Sequence, residues 1–305
     1  MYFCLSKNNN YMSLKPSKIL VPIGFSEQSI LALKQALKFA EINNSKVFLL
    51  TVIEERSIIN NLFLDDKSSE LKKKIHTKLS NIIDSFKSQY NVEIEPIVSQ
   101  GKIYDQINDV AEMISCDLII MGTNGAPTAI VRKVIGSNAE RVVRLAHCPV
   151  ITIKGDHNIQ ECNNIILPLD LDKETKEKVT HALEYARSWK ATIRLVSIVI
   201  KDNNLIREKL LKNLNQVEKF IINAGVSCSA EIIDGDNKQN LGDFIFHYEK
   251  KYDNDIIMIM TKKEELSLSN NISVTARYII NNSPIPVMCI RPKPRKHLTG
   301  PTTAF

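Results

Sequence analysis

The chain has 305 residues, 44% of them apolar and 24% charged, with six cysteines and a formal net charge of +6. That length exceeds one small domain and suits two of about 150 residues, and the composition excludes a disordered, collagen-like or disulfide-dense chain. The longest purely apolar runs, such as 118–121 and 256–260, fall far below the ~20 residues that cross a bilayer, so no membrane contact is expected.

Residues 1–16 read as a flexible arm: MYFCLSKNNNYMS holds too little continuous apolar sequence for a secretory core, and Asn8, Asn9 and Asn10 suit a frayed terminus. A cytoplasmic location is the resulting expectation. From residue 17 the pattern becomes periodic. Residues 18–53 read as an apolar run, a tight turn, a helix and a second apolar run, with Ile30, Leu33, Leu37 and Ala40 at helical spacing behind a Ser26 cap. That is a βαβ unit.

Leu71, Ile75, Leu79, Ile83 and Phe86 mark a second helix, residues 92–98 a third strand, and Ile103, Ile107, Val110 and Ile114 a third helix. The polar stretch 54–69 before them is a candidate lid. Residues 117–123 read as a buried fourth strand, 138–146 as a fourth helix and 149–153 as a fifth strand, with Asp105 and Asp117 as cap or turn residues.

After a linker near 154–161 the chain repeats itself. Residues 164–199 lie without a gap on 18–53, placing Pro168 on Pro22, Ala182 on Ala36, Leu183 on Leu37 and Ala186 on Ala40, with Asp172 as the helix cap. Residues 255–261 and 286–290 repeat the closing strands. The alternation predicts an α/β fold of two tandem doubly wound parallel five-stranded sheets with helices on both faces, over 17–155 and 162–292. Ligands in such sheets favour the carboxyl ends of the strands.

Cys4, Cys116, Cys148, Cys162, Cys228 and Cys289 are widely spaced and form no metal-ligand pattern, so buried reduced thiols are expected. The six histidines make no HExxH-like pair, and no metal site is expected. Residues 293–305 read as a basic flexible tail; without interleaved aromatics it points to no specific nucleic-acid partner. P-loop, GxGxxG, HxGH, SGGxDS and GxSxG motifs are absent, and no base or metal-binding carboxylate for phosphoryl transfer stands out. The expectation is a non-enzyme.

The strongest chemical signal is GTNGAPTAIVRKVIGSNAERVV, in which Gly122 and Gly125 follow the fourth strand and Gly136 and Ser137 open a helix. Glycines at a strand end let the main chain approach a phosphate, and the first helical N–H groups can donate to it. Taken alone, a GxxG serves turns more often than phosphate.

With the VPIGFSEQS start, the Gly101 turn and GSNAERVVRLAHCPV, residues 18–153 resemble the universal stress protein family, and 164–291 resemble a second, degenerate copy. The resemblance implies a fold like that of the adenine nucleotide α hydrolases and an ATP site in the first copy, with Mg2+ accompanying bound nucleotide. It places Pro22, Ile23 and Val52 around the base, and Gly122, Asn124, Gly125, Gly136, Ser137 and Asn138 around ribose and phosphates. Two features depart from the family pattern. Gly24 stands where an aspartate is usual, and ten residues rather than nine separate Gly125 from Gly136.

The second copy keeps Asp170 but has Met260 for the first glycine and no glycine over 261–279, so nucleotide is expected in the first copy only. The resemblance also implies pairing of the two fifth strands across a pseudo-twofold axis, with a further homodimer open. Two main readings of function stand, a nucleotide-responsive module acting on an unidentified protein partner in stress response or an interaction scaffold with both pockets vestigial, and slow hydrolysis of ATP is a third.

Overall fold

The computed structural model describes residues 17–54, 65–123, 136–154, 162–170, 175–200, 204–236, 239–252, 255–261 and 272–292. The first half runs β1 (Lys18–Pro22), α1 (Glu27–Asn43), β2 (Lys46–Ile53), α2 (Asp65–Lys87), β3 (Ile94–Gln100), α3 (Ile103–Met113), β4 (Leu118–Gly122), α4 (Ser137–Leu145) and β5 (Val150–Ile153). The second runs β6 (Asn164–Pro168), α5 (Thr175–Trp189), β7 (Thr192–Ile200), α6 (Asn204–Asn223), β8 (Cys228–Gly235), α7 (Leu241–Tyr252), β9 (Ile256–Met260), α8 (Val274–Asn282) and β10 (Val287–Ile290).

Each half supplies five parallel strands, as the alternation predicts, and the two sets form one ten-stranded sheet, β3-β2-β1-β4-β5-β10-β9-β6-β7-β8. The junction is the antiparallel pair β5–β10, in which Ile151 stands opposite Met288. Each strand alternates its side chains between two cores. Ile19, Val21 and Ile120 meet Leu33 and Ile83 on one face, whereas Leu20, Ile119 and Met121 meet Ile107 and Val142 on the other. Both cores run through both halves.

Local chemistry sets the element ends. Ser26 caps α1 by accepting from the Ser29 N–H at 3.3 Å, and Asn44 closes the helix in the left-handed conformation at φ 54°. Asp117 proves to be a long-range staple. Its Oδ2 accepts from the N–H groups of Ser17 and Lys18 at 2.9 and 3.0 Å, tying β4 to the start of β1. Asp255 does the same for Asn163 and Asn164 at 2.7 and 2.8 Å. The third strand lies two residues later than its apolar pattern suggests, because pairing with β2 extends it to Gln100 opposite Ile53. Of the candidate lid, 65–69 belong to α2 and 55–64 lie outside the described residues, as do the arm, the tail, most of the linker and Asp172.

On one face of the junction the Phe39 and Trp189 rings stand 5.0 Å apart and Ser188 Oγ donates to Asn43 Oδ1, joining α1 to α5. On the other, Arg277 of α8 pairs with Glu140 of α4 at 2.7 Å. Lys154 Nζ donates to the Asn281 carbonyl near the end of α8, and Arg291 Nη1 to the Leu145 carbonyl ending α4.

Cys116, Cys148, Cys162 and Cys289 are buried free thiols and Cys228 is half-buried. The neighbouring Cys116 thiol and burial push Cys148 up, burial pushes Cys162 and Cys289 up, and burial chiefly pushes Cys228 up to about 12. Thiol pKa values raised on folding contribute stability below the ordinary value of 9.0, and that contribution is lost as pH climbs above it. The urea midpoint should therefore fall between about pH 8 and about pH 10.5, and alkylation of these buried thiols in the native protein should run about a hundredfold slower than after unfolding. Mass-spectrometric labelling and urea melts check both. No described helix is long and apolar enough to cross a membrane.

Candidate functional site

β1 lies between β2 and β4. The connections after β1 and β4 leave in opposite directions there, opening a crevice at the carboxyl ends of the strands. The crevice is a cavity of about 430 Å³. Pro22, Ile23, Gly24 and Val52 line one side, and Gly122, Gly136, Ser137 and Asn138 the other. Asn124 and Gly125 lie outside the described residues.

Backbone bonds hold the walls in place. Ile23 N–H donates to the Leu50 carbonyl at 2.7 Å, Thr51 Oγ1 to the Ile23 carbonyl at 3.3 Å, and Gly136 N–H to the Thr123 carbonyl at 2.8 Å. The last bond sets the start of α4 against the end of β4. Ile103 and Ile107, identified in the sequence only as core positions, also line the cavity beside Met121, and Ser26 and Ser29 add hydroxyls. Their helical spacing marked a buried face without saying that part of it borders a cavity.

The glycines differ in what they permit. A Cβ on Gly122 would stand 3.0 Å from the Gln28 carbonyl oxygen and 3.1 Å from its carbon, so β4 can meet the first turn of α1 this closely only through glycine. A Cβ on Gly136 would meet the Thr123 carbonyl oxygen at 3.0 Å. A Cβ on Gly24 would meet nothing within 4 Å, so nothing in the fold demands glycine where the resemblance leads one to expect aspartate.

A second cavity, of about 440 Å³, adjoins the first and shares Ile103, Ser137 and Asn138 with it. Lys102, Arg141 and Glu54 line it, with the Arg141 guanidinium 4.4 Å above the Tyr104 ring. The described lining of the main cavity carries no histidine, cysteine or carboxylate, and no cluster of three or more metal-ligating side chains occurs among the described residues.

The corresponding crevice of the second half is narrower. Met260 ends β9 where Gly122 ends β4, Lys178 Nζ donates to the Pro168 carbonyl at 3.1 Å, and about 140 Å³ remains. The helix openings differ too. Ser273 N–H donates to Thr261 as Gly136 does to Thr123, but the Ser273 side chain also accepts from Ala276 N–H at 3.2 Å, whereas α4 starts with no side-chain cap. Unclaimed N–H groups at a helix start are anion donors.

Fold and crevice define a tandem, doubly wound α/β protein with a glycine-walled cleft at the carboxyl ends of the strands of its first half. The sequence profile of the universal stress protein family matches residues 16–154. A universal stress protein of Methanocaldococcus jannaschii is 30% identical over 159 residues, 47% of this chain and 98% of that protein. A second from the same organism is 29% identical over 148 residues, 45% of this chain and 81% of its own. The chain belongs to the universal stress protein family. The crystal structure of a universal stress protein from Archaeoglobus fulgidus has the same fold over 90% of this chain and 98% of that one, with a TM-score of 0.71 at 18% identity.

Proposed function

We propose that this chain is a cytoplasmic, nucleotide-responsive stress protein that holds an adenine nucleotide, ATP with Mg2+, in the cleft of the unit spanning 17–155 and leaves the unit spanning 162–292 empty of ligand. The uncapped start of α4 beside the Gly122 and Gly136 walls carries this reading. Its first N–H groups and the Ser137 hydroxyl face a cavity of about 430 Å³, where phosphate oxygens would accept from them. The base would lie against Pro22, Ile23 and Val52, with Gly24 and Asn138 beside the ribose and the segment of Asn124 and Gly125 wrapping the phosphates. In the other unit the Ser273 side chain already claims the Ala276 N–H, and the crevice, lined by Met260 and Lys178, holds only about 140 Å³.

The described cleft lining suits binding rather than turnover: serines, a threonine and an asparagine supply its polar side chains, with no acid or base among the described lining residues. A partner protein would read the occupied state at the cleft's rim. The test is a calorimetric titration with ATP and Mg2+ beside Gly136→Val. Ser273 occupies the matching position, so a side chain there is compatible with folding, while the branched valine would obstruct the phosphates. Saturable binding that weakens at least about thirtyfold, ~2 kcal/mol, in the variant is expected. No binding by the wild-type chain at millimolar ATP favours the scaffold reading, in which both crevices are vestigial.

A further inference from the structure

Helix α4 supplies Gly136, Ser137, Asn138 and Ala139 to the cleft, and both its ends are held by arginines from the other half. In the turn that faces the ligand, Glu140 Oε1 is 2.7 Å from Arg277 Nη2. At the far end, the Leu145 carbonyl accepts from Arg291 Nη1 at 3.0 Å. A helix gripped at its first and last turns keeps its N–H groups aimed, and preorganised donors bind an anion more tightly than donors that must first be ordered.

The grip exists only between unlike halves. α4 and α8 are both nine residues long, so Glu140 and Arg277 are each the fourth residue of matching helices. They meet across the pseudo-twofold axis that passes between Ile151 and Met288. Two first halves paired in the same way would set Glu140 against Glu140. On the opposite sheet face, the gap-free repeat puts Ile42 and Asn43 where the second half has Ser188 and Trp189. Such a self-pair would therefore lose both the Ser188–Asn43 hydrogen bond and the Phe39–Trp189 contact. The junction is built for the second half, not for another copy of the first.

We propose that the second half, its own crevice narrowed, is a dedicated brace for the nucleotide cleft, with Arg277 and Arg291 as positioning residues that never touch the ligand. This rests on the nucleotide reading above. Because the Arg277–Glu140 pair is partly exposed, its effect is modest. In the full-length chain, Arg277→Glu should weaken ATP binding about fivefold, ~1 kcal/mol. The charge swap Glu140→Arg with Arg277→Glu should restore affinity to within about twofold of wild type.

Calorimetry at a temperature well below every variant's melting midpoint reads the outcome. A lowered midpoint with unchanged affinity in Arg277→Glu would reduce the pair to fold stability alone and overturn the proposal, as would failure of the swap to restore binding. Absence of binding by wild type removes the nucleotide reading and this inference with it. Binding by wild type that Arg277→Glu leaves intact removes only the brace.

Discussion

Replacing Gly122 by methionine, the residue that ends the matching strand of the second half, is expected to abolish nucleotide binding, lowering affinity at least about a hundredfold, ~2.7 kcal/mol. Two effects combine. The new Cβ would stand 3.0 Å from the Gln28 carbonyl oxygen and 3.1 Å from its carbon; both belong to the backbone of the first turn of α1, which cannot swing aside as a side-chain tip would. β4 and α1 would have to separate, at about 1–3 kcal/mol of stability. Met260, which ends the matching strand, lines the second crevice, where about 140 Å³ remains against about 430 Å³, so the added bulk at Gly122 is expected to narrow the cleft likewise. Thermal melting reads the first effect and calorimetry the second. A variant that still binds ATP with wild-type affinity would place the ligand elsewhere.

Trp189→Ala is expected to cost about 3–5 kcal/mol, the range for removing a large aromatic from a core. Trp189 is 7% exposed and lies 5.0 Å from both the Phe39 ring of the first half and the Tyr185 ring of its own. Its loss opens a cavity in the core that runs through both halves, beside the Ser188–Asn43 hydrogen bond. Urea denaturation followed by circular dichroism measures the cost. Since the chain has one tryptophan, wild-type fluorescence reports on the junction itself. Its unfolding curve should coincide with that of circular dichroism if the halves melt together. A cost below about 1 kcal/mol would show that the junction contributes little to stability.

Much of the cleft was legible because its parts are local signals. Pro22, Ile23 and Gly24 end an apolar run, Gly122 ends another, and Gly136 and Ser137 start a helix whose apolar positions recur. Ile103 and Ile107 were recognised as core but not as cleft, since periodicity shows that a face is buried without showing what lies against it. Gly122 and Gly24 look alike in sequence. Only the distance to Gln28 shows that the first is sterically required and the second is not.

By itself the sequence determined the alternation of strand and helix, the duplication of the unit, the Ser26 cap and the glycine motif, because each depends on residues a few positions apart and on fixed helical and strand periods. Tertiary structure decided which distant groups meet. It put Asp117 on the N–H groups of Ser17 and Lys18, a hundred residues away, and Arg277 on Glu140 across the junction. It also tied Lys178 to the Pro168 carbonyl beside the second crevice and capped α8 with Ser273. Those contacts depend on strand register, on the antiparallel meeting of β5 and β10, and on side-chain packing, none of which a local pattern encodes.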